Sequence, residues 1–160
     1  MKNRAGVWIV LIVAALLLTG CIGTKTLPVP NPAEPTLFVD YQRSGGIAGV
    51  NDRLVVFDNG AALVVSRTTS REIQLNQSEL EQISHIFEAA QFTALEGNYT
   101  SLRGGADFMQ YSISFKGKTV NTEDTAIPPP LEPVIDEMNR VLSNGMNRGQ
   151  TDLSLPGFGL

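Results

Sequence analysis

The chain has 160 residues, 42% of them hydrophobic and 18% charged, with a formal charge of −4; that is enough for one globular domain and too little for two of ordinary size. A single cysteine, Cys21, excludes an intrachain disulfide framework, so the fold must rest on a hydrophobic core. A single histidine, His85, excludes metal sites built on two imidazoles, and no CxxC or HExxH spacing is present.

The first twenty residues read as an export signal. Lys2 and Arg4 precede an unbroken apolar run, Val7 to Leu18. Its twelve residues fall short of the roughly 20 that a membrane-spanning helix needs. Leu18-Thr19-Gly20-Cys21 resembles the lipobox of bacterial and archaeal lipoproteins, which implies cleavage before Cys21 and a lipid on that cysteine. Loss of residues 1–20 removes two basic residues and no acidic one, leaving 10 basic against 16 acidic residues and a formal charge of −6. The remaining basic residues are scattered, with no run to displace counterions from nucleic acid. The expected location is the cell envelope, outside the cytoplasm and lipid-anchored. Ile22 rather than an aspartate after Cys21 leaves open which membrane, inner or outer, holds the lipid.

Residues 21–35 form a tether. Pro28, Pro30, Pro32 and Pro35 favour extended chain at ~3.1 Å per residue, so the segment from Ile22 to Pro35 reaches up to about 40 Å. A globular domain is expected over 36–143. Leu37 to Tyr41 gives a first strand, followed by Ser44-Gly45-Gly46. Leu54 to Phe57 and Ala62 to Val65 form a hairpin, with Asn59-Gly60 suited to a type I′ turn. Being apolar almost throughout, both runs are expected to be central or covered on both faces. Ser78 and Glu81 have capping-box spacing and start a helix whose stripe is Leu80, Ile83, Phe87 and Ala90, with His85 opposite. A polar loop over 97–106 leads to an alternating strand, Met109 to Phe115, which turns through Lys116-Gly117-Lys118 into a short partner, Thr119 to Asn121. Pro128-Pro129-Pro130 then introduces a second helix with the stripe Leu131, Val134, Ile135, Met138, Val141 and Leu142, stopped by Asn144-Gly145. Residues 144–160 read as a flexible tail carrying Leu153, Leu155 and Phe158. The fold class is α+β, an antiparallel sheet of about four to five strands packed with two helices.

Chemistry-bearing constellations are few. There is no GxSxG and no thiol left free after lipidation, and His85 lies on a solvent face, so no nucleophilic or acid–base catalyst is expected and the chain reads as a non-enzyme. Adjacent acids Glu123 and Asp124 read as solvated. Ser44 to Gly49 lacks the spacing of GxGxxG or a P-loop, so neither a nucleotide cofactor nor a small-molecule substrate is implied. Two readings of that glycine-rich segment remain. One is a connection between strands. The other is a presented loop, with Arg43 supplying charge and Ile47 an apolar tip for a partner's cleft.

Tyr41-Gln42-Arg43-Ser44-Gly45-Gly46-Ile47-Ala48-Gly49 resembles the arginine-serine-glycine-glycine signature of the emfourin family, proteinaceous inhibitors of thermolysin-type metallopeptidases such as protealysin. Leu75 to Phe92, Asp107 to Ile113 and Leu131 to Leu142 are similar to that family's helix, aromatic strand and proline-led helix, so the resemblance covers about 37–143. It implies an antiparallel sheet packed by helix, no cofactor, and inhibition by occupying a metalloprotease cleft. The implied protein-binding loop is Arg43, Ser44, Gly45, Gly46, Ile47 and Gly49. This chain departs from the family in its export signal and tether, which place the expected partner protease outside the cytoplasm. The alternative expectation is a non-inhibitory structural or assembly module of the envelope.

Overall fold

The computed structural model describes residues 34–101 and 107–148. The signal segment, Cys21, all of the tether but Glu34 and Pro35, part of the 97–106 loop, and the tail beyond Arg148 lie outside the described residues. The compact unit that holds the domain starts at Glu34.

Among the described residues seven strands form one sheet: β1 (Leu37–Gly45), β2 (Val50–Phe57), β3 (Ala61–Val65), β4 (Ser70–Gln74), β5 (Asn98–Tyr99), β6 (Met109–Phe115) and β7 (Lys118–Glu123). Their order is β4-β3-β2-β1-β6-β7-β5. All neighbours are antiparallel except β5, which runs parallel to β7. Two α-helices among the described residues, α1 (Gln77–Ala89) and α2 (Glu132–Asn147), complete the α+β architecture. The sheet is therefore larger than the expected four to five strands, and it is mixed rather than wholly antiparallel. The additional strands have short or polar sequences. β4 (Ser-Arg-Glu-Ile-Gln) has a single apolar residue, and β5 is two residues long. Neither carries the alternation that announces a half-buried strand.

Both helices lie on one face of the sheet. The inward strand positions Val39, Tyr41, Leu54, Val56, Ala62, Val64, Ile113, Phe115 and Val120 are buried against the expected stripes of α1 (Leu80, Ile83, Phe87) and α2 (Val134, Ile135, Met138, Val141, Leu142). Phe115 is an aromatic hub, with ring centroids 4.3 Å from Phe87, 5.5 Å from Phe38 and 6.2 Å from Phe92. Along β2 and β3 burial alternates, and Val55, Phe57 and Leu63 on the other face are only half-buried. These strands are central, as expected, but among the described residues they are covered on one face alone, and apolar residues on the outward side suit strand preference.

Several local assignments shift. The N-cap of α1 is Asn76, not Ser78. The Asn76 side chain accepts from the Glu79 N–H at 2.9 Å, and Glu79 returns the bond to the Asn76 N–H at 2.8 Å. Asparagine caps as well as serine, and this placement puts Leu75 and Leu80 at the two positions of a hydrophobic staple, both buried. The β2–β3 turn is not type I′: Asn59 keeps φ out of the left-handed region, and Gly60 adopts φ 83° after a turn closed by Gly60 N–H to Phe57 O at 3.0 Å. That is a three-residue loop ending in a bulge. Between β6 and β7, by contrast, Lys116 (φ 48°) and Gly117 (φ 78°) are both left-handed, as a type I′ turn demands. Nor does Gly145 stop α2. It lies buried inside the helix, where a Cβ would come within 2.6 Å of Val64 Cγ2, so here glycine serves close approach of helix to sheet. The ordered domain accordingly runs past residue 143, and the first residues assigned to the tail are helical.

Candidate functional site

The glycine-rich segment is the tip of the β1–β2 hairpin. Gly45 is the last residue of β1, paired with Val50, and residues 46–49 form the turn, closed by Gly49 N–H to Gly46 O at 2.9 Å. Gly45 has φ 109°, and a Cβ there would sit 2.2 Å from the Phe108 carbonyl oxygen. Only glycine fits both the dihedral and the space. The tip is supported from two sides. Gly46 N–H reaches the Phe108 carbonyl at 3.4 Å, and Arg67, from the β3–β4 loop, donates to the Ala48 carbonyl at 3.0 Å. At the apex Ile47 is 93% exposed, one of two exposed large apolar residues among those described.

The base of the hairpin is pinned to the fold. Alternation along β1 sends Val39, Tyr41 and Arg43 inward and Asp40, Gln42 and Ser44 outward. Arg43 donates through Nε to Asp52 Oδ2 at 3.0 Å and through Nη1 to Asn139 Oδ1 at 2.8 Å, and the Tyr41 hydroxyl donates to that same oxygen at 2.8 Å. The side chains of Arg43 and Asp52 are 24% and 10% exposed. Burial holds the Tyr41 phenol well above its ordinary range, with the Arg43 charge pulling weakly the other way. Burial also raises Tyr111, whose ring stacks on Tyr41 at 6.4 Å.

The expected loop residues thus divide in three. Arg43 is engaged beneath the tip and is not its presented charge. Ser44 faces the open side of the sheet. Gly45, Gly46, Ile47 and Gly49 form the tip itself. Cys21 lies outside the described residues. Of the two acids expected to be solvated, Asp124 is exposed and Glu123 is buried; Glu123 Oε1 accepts from the Ser101 N–H, and Asp124 Oδ2 from the Met109 N–H at 3.2 Å. These bonds hold both carboxyl-bearing residues beside the strand that supports the tip. His85 is exposed on α1.

Sequence reasoning missed Asp52, Arg67 and Asn139. Asp52 is signalled by parity, since it shares the inward side of β2 with Leu54 and Val56. Arg67 and Asn139 reach the hairpin from distant elements and leave no local pattern. The assembled tip is a backbone held from two sides, with an apolar apex at Ile47. In comparison with known proteins, the chain matches no protein-family model, and no curated protein matches it.

Proposed function

We propose that the protein is a membrane-tethered extracytoplasmic lipoprotein that inhibits a thermolysin-type metalloprotease by inserting the β1–β2 tip into the enzyme's cleft. The observation that carries this reading is Ile47, fully presented at the apex of a turn whose backbone is fixed by Phe108 and Arg67. A preorganised tip loses little conformational entropy on binding, and a single apolar anchor entering a pocket supplies much of an interface's affinity. The lipobox-like Leu18 to Cys21 and the proline-rich tether support the location, and the Arg43 to Gly49 signature supports the partner class.

The test is titration of the detergent-solubilised protein into a thermolysin-type protease assay. Saturable inhibition is expected, weakened about tenfold or more in Ile47→Ser. Glycine substitutions serve less well, because Gly46 has φ 68° and a Cβ there would meet Met109 Sδ at 3.1 Å, so they change the hairpin itself. Full inhibition by Ile47→Ser would remove the tip from the mechanism. Absence of inhibition by the folded parent would leave the second reading, an envelope assembly module. The feature favouring that reading is the half-buried strip of Val55, Phe57 and Leu63 on the open face; recovery of a stable non-protease partner from solubilised membranes would support it.

A further inference from the structure

The open face of the sheet is not uniform. Over β1 and β2, Arg53 donates to both Asp40 carboxylate oxygens, at 2.9 and 2.6 Å, and one step along β6 and β7 Ser114 bonds Thr119 at 2.8 Å. Between β1 and β5 the pattern changes. The register sets Gln42, Ser112, Asn121 and Asn98 in one row across four strands, and Ser44, Gln110 and Glu123 in the next, with Thr100 following β5 at its end. Both rows line a groove of about 380 Å³. The side chains of Gln42, Ser44, Asn98, Thr100, Gln110 and Ser112 make no hydrogen bond among the described residues, although each is held on or beside a rigid strand. With strands about 4.8 Å apart, the rows run about 14 Å and lie about 7 Å from each other.

We propose that this groove binds a neutral polyhydroxylated ligand, a short stretch of glycan. Amide and hydroxyl side chains each offer donors and acceptors, which suits a ligand whose own groups are both. Among the described residues no lysine or arginine lines the groove, and Glu123 is the one charged group there, so anionic ligands such as phosphates are disfavoured. Glu123 Oε1 is already occupied by the Ser101 N–H and the Thr125 hydroxyl. An extended peptide would need apolar pockets for its side chains, and among the described residues the lining contains no aliphatic one. A sugar chain instead presents hydroxyls along its whole length, which suits two parallel rows of hydroxyl and amide side chains in which the amides of Gln42, Asn98 and Gln110 are without a hydrogen bond among the described residues. The groove faces away from the helices and does not include Ile47, so this site is independent of the inhibitory reading.

The experiment is calorimetric titration of the full detergent-solubilised protein with two neutral series, chito-oligosaccharides and malto-oligosaccharides. Saturable binding of at least one series is expected, weakened about tenfold in Gln42→Ala and further in the Gln42→Ala/Gln110→Ala double variant. Ser114→Ala and Ile47→Ser should bind like the parent. Both glutamines are exposed, so unchanged melting of the double variant will show that lost binding is not lost folding. Preference for the chito series would assign an acetamido-bearing glycan, and equal binding a hydroxyl pattern alone. Failure of both series to saturate at millimolar concentration, undiminished binding by the double variant, or binding only of a neutral serine-glycine peptide would overturn the proposal.

Discussion

The two faces of the sheet use the same alternating strands to opposite ends. Toward the helices, β1 presents Val39, Tyr41 and Arg43, and every polar group there is matched: Arg43 by Asp52 and Asn139, Tyr41 by Asn139. No buried side-chain nitrogen or oxygen among the described residues lacks a partner. Away from the helices, the same strand presents Asp40, Gln42 and Ser44, of which only Asp40 is paired among the described residues. An unpaired amide costs little where water reaches it and a great deal where it does not. The covered face is therefore constrained to complete its bonds internally, whereas the open face is free to keep bonds for a ligand.

Substitutions can test that contrast. Phe115→Ala, which empties the aromatic hub between α1 and the sheet, is expected to cost about 3–5 kcal/mol in denaturant unfolding. A cost under about 1 kcal/mol would mean that the helices do not seal that face. Asp52→Ala leaves the Arg43 guanidinium without its carboxylate in a largely shielded place; the partial exposure of Arg43 reduces the expected loss to about 2 kcal/mol. Gly145→Ala sharpens the account of helix–sheet contact. The added methyl meets Val64, and overpacking of about 1–3 kcal/mol is offset by about 1 kcal/mol of helix propensity, for a net loss of about 1 kcal/mol. Stabilisation would show that the helix lifts off without penalty. Smallest is Arg53→Ala on the open face, expected to shift stability by less than about 1 kcal/mol even though its ion pair is bidentate. If this change matched Asp52→Ala in chemical denaturation, the distinction between the faces would fail.

Much of the fold was legible because both helices carry wide apolar stripes. Leu80, Ile83 and Phe87, and likewise Val134, Ile135, Met138, Val141 and Leu142, all point into the core. What escaped was set by tertiary contact. β4 and β5 are edge elements, selected for pairing with β3 and β7 rather than for burial, so their composition is that of loops. The candidate tip was legible as a glycine cluster, but the direction of Arg43 was not, because the first strand was expected to end at Tyr41. Extending β1 by four residues to Gly45 places Arg43 on the side of Tyr41 by parity alone. The polar rows of the open face escaped for another reason: Gln42, Gln110, Asn121 and Asn98 come together only through the order β1-β6-β7-β5, which sets β6 beside β1 and β5 beside β7 although neither pair is consecutive in sequence.

That order also fixes how the domain meets mechanical load. The chain enters at Glu34 and passes directly into β1, which is bonded to β2 along one side and to β6 along the other over most of its length. Beside the entry, Thr36 is fastened to Asp58 through both its N–H and its hydroxyl. A pull on the N-terminal side thus loads two ladders at once along the strand, in shear, whereas a pull on β4 or β5 at the margins would peel their bonds one after another. The N-terminal entry of the domain leads into a strand held by hydrogen bonds on both sides.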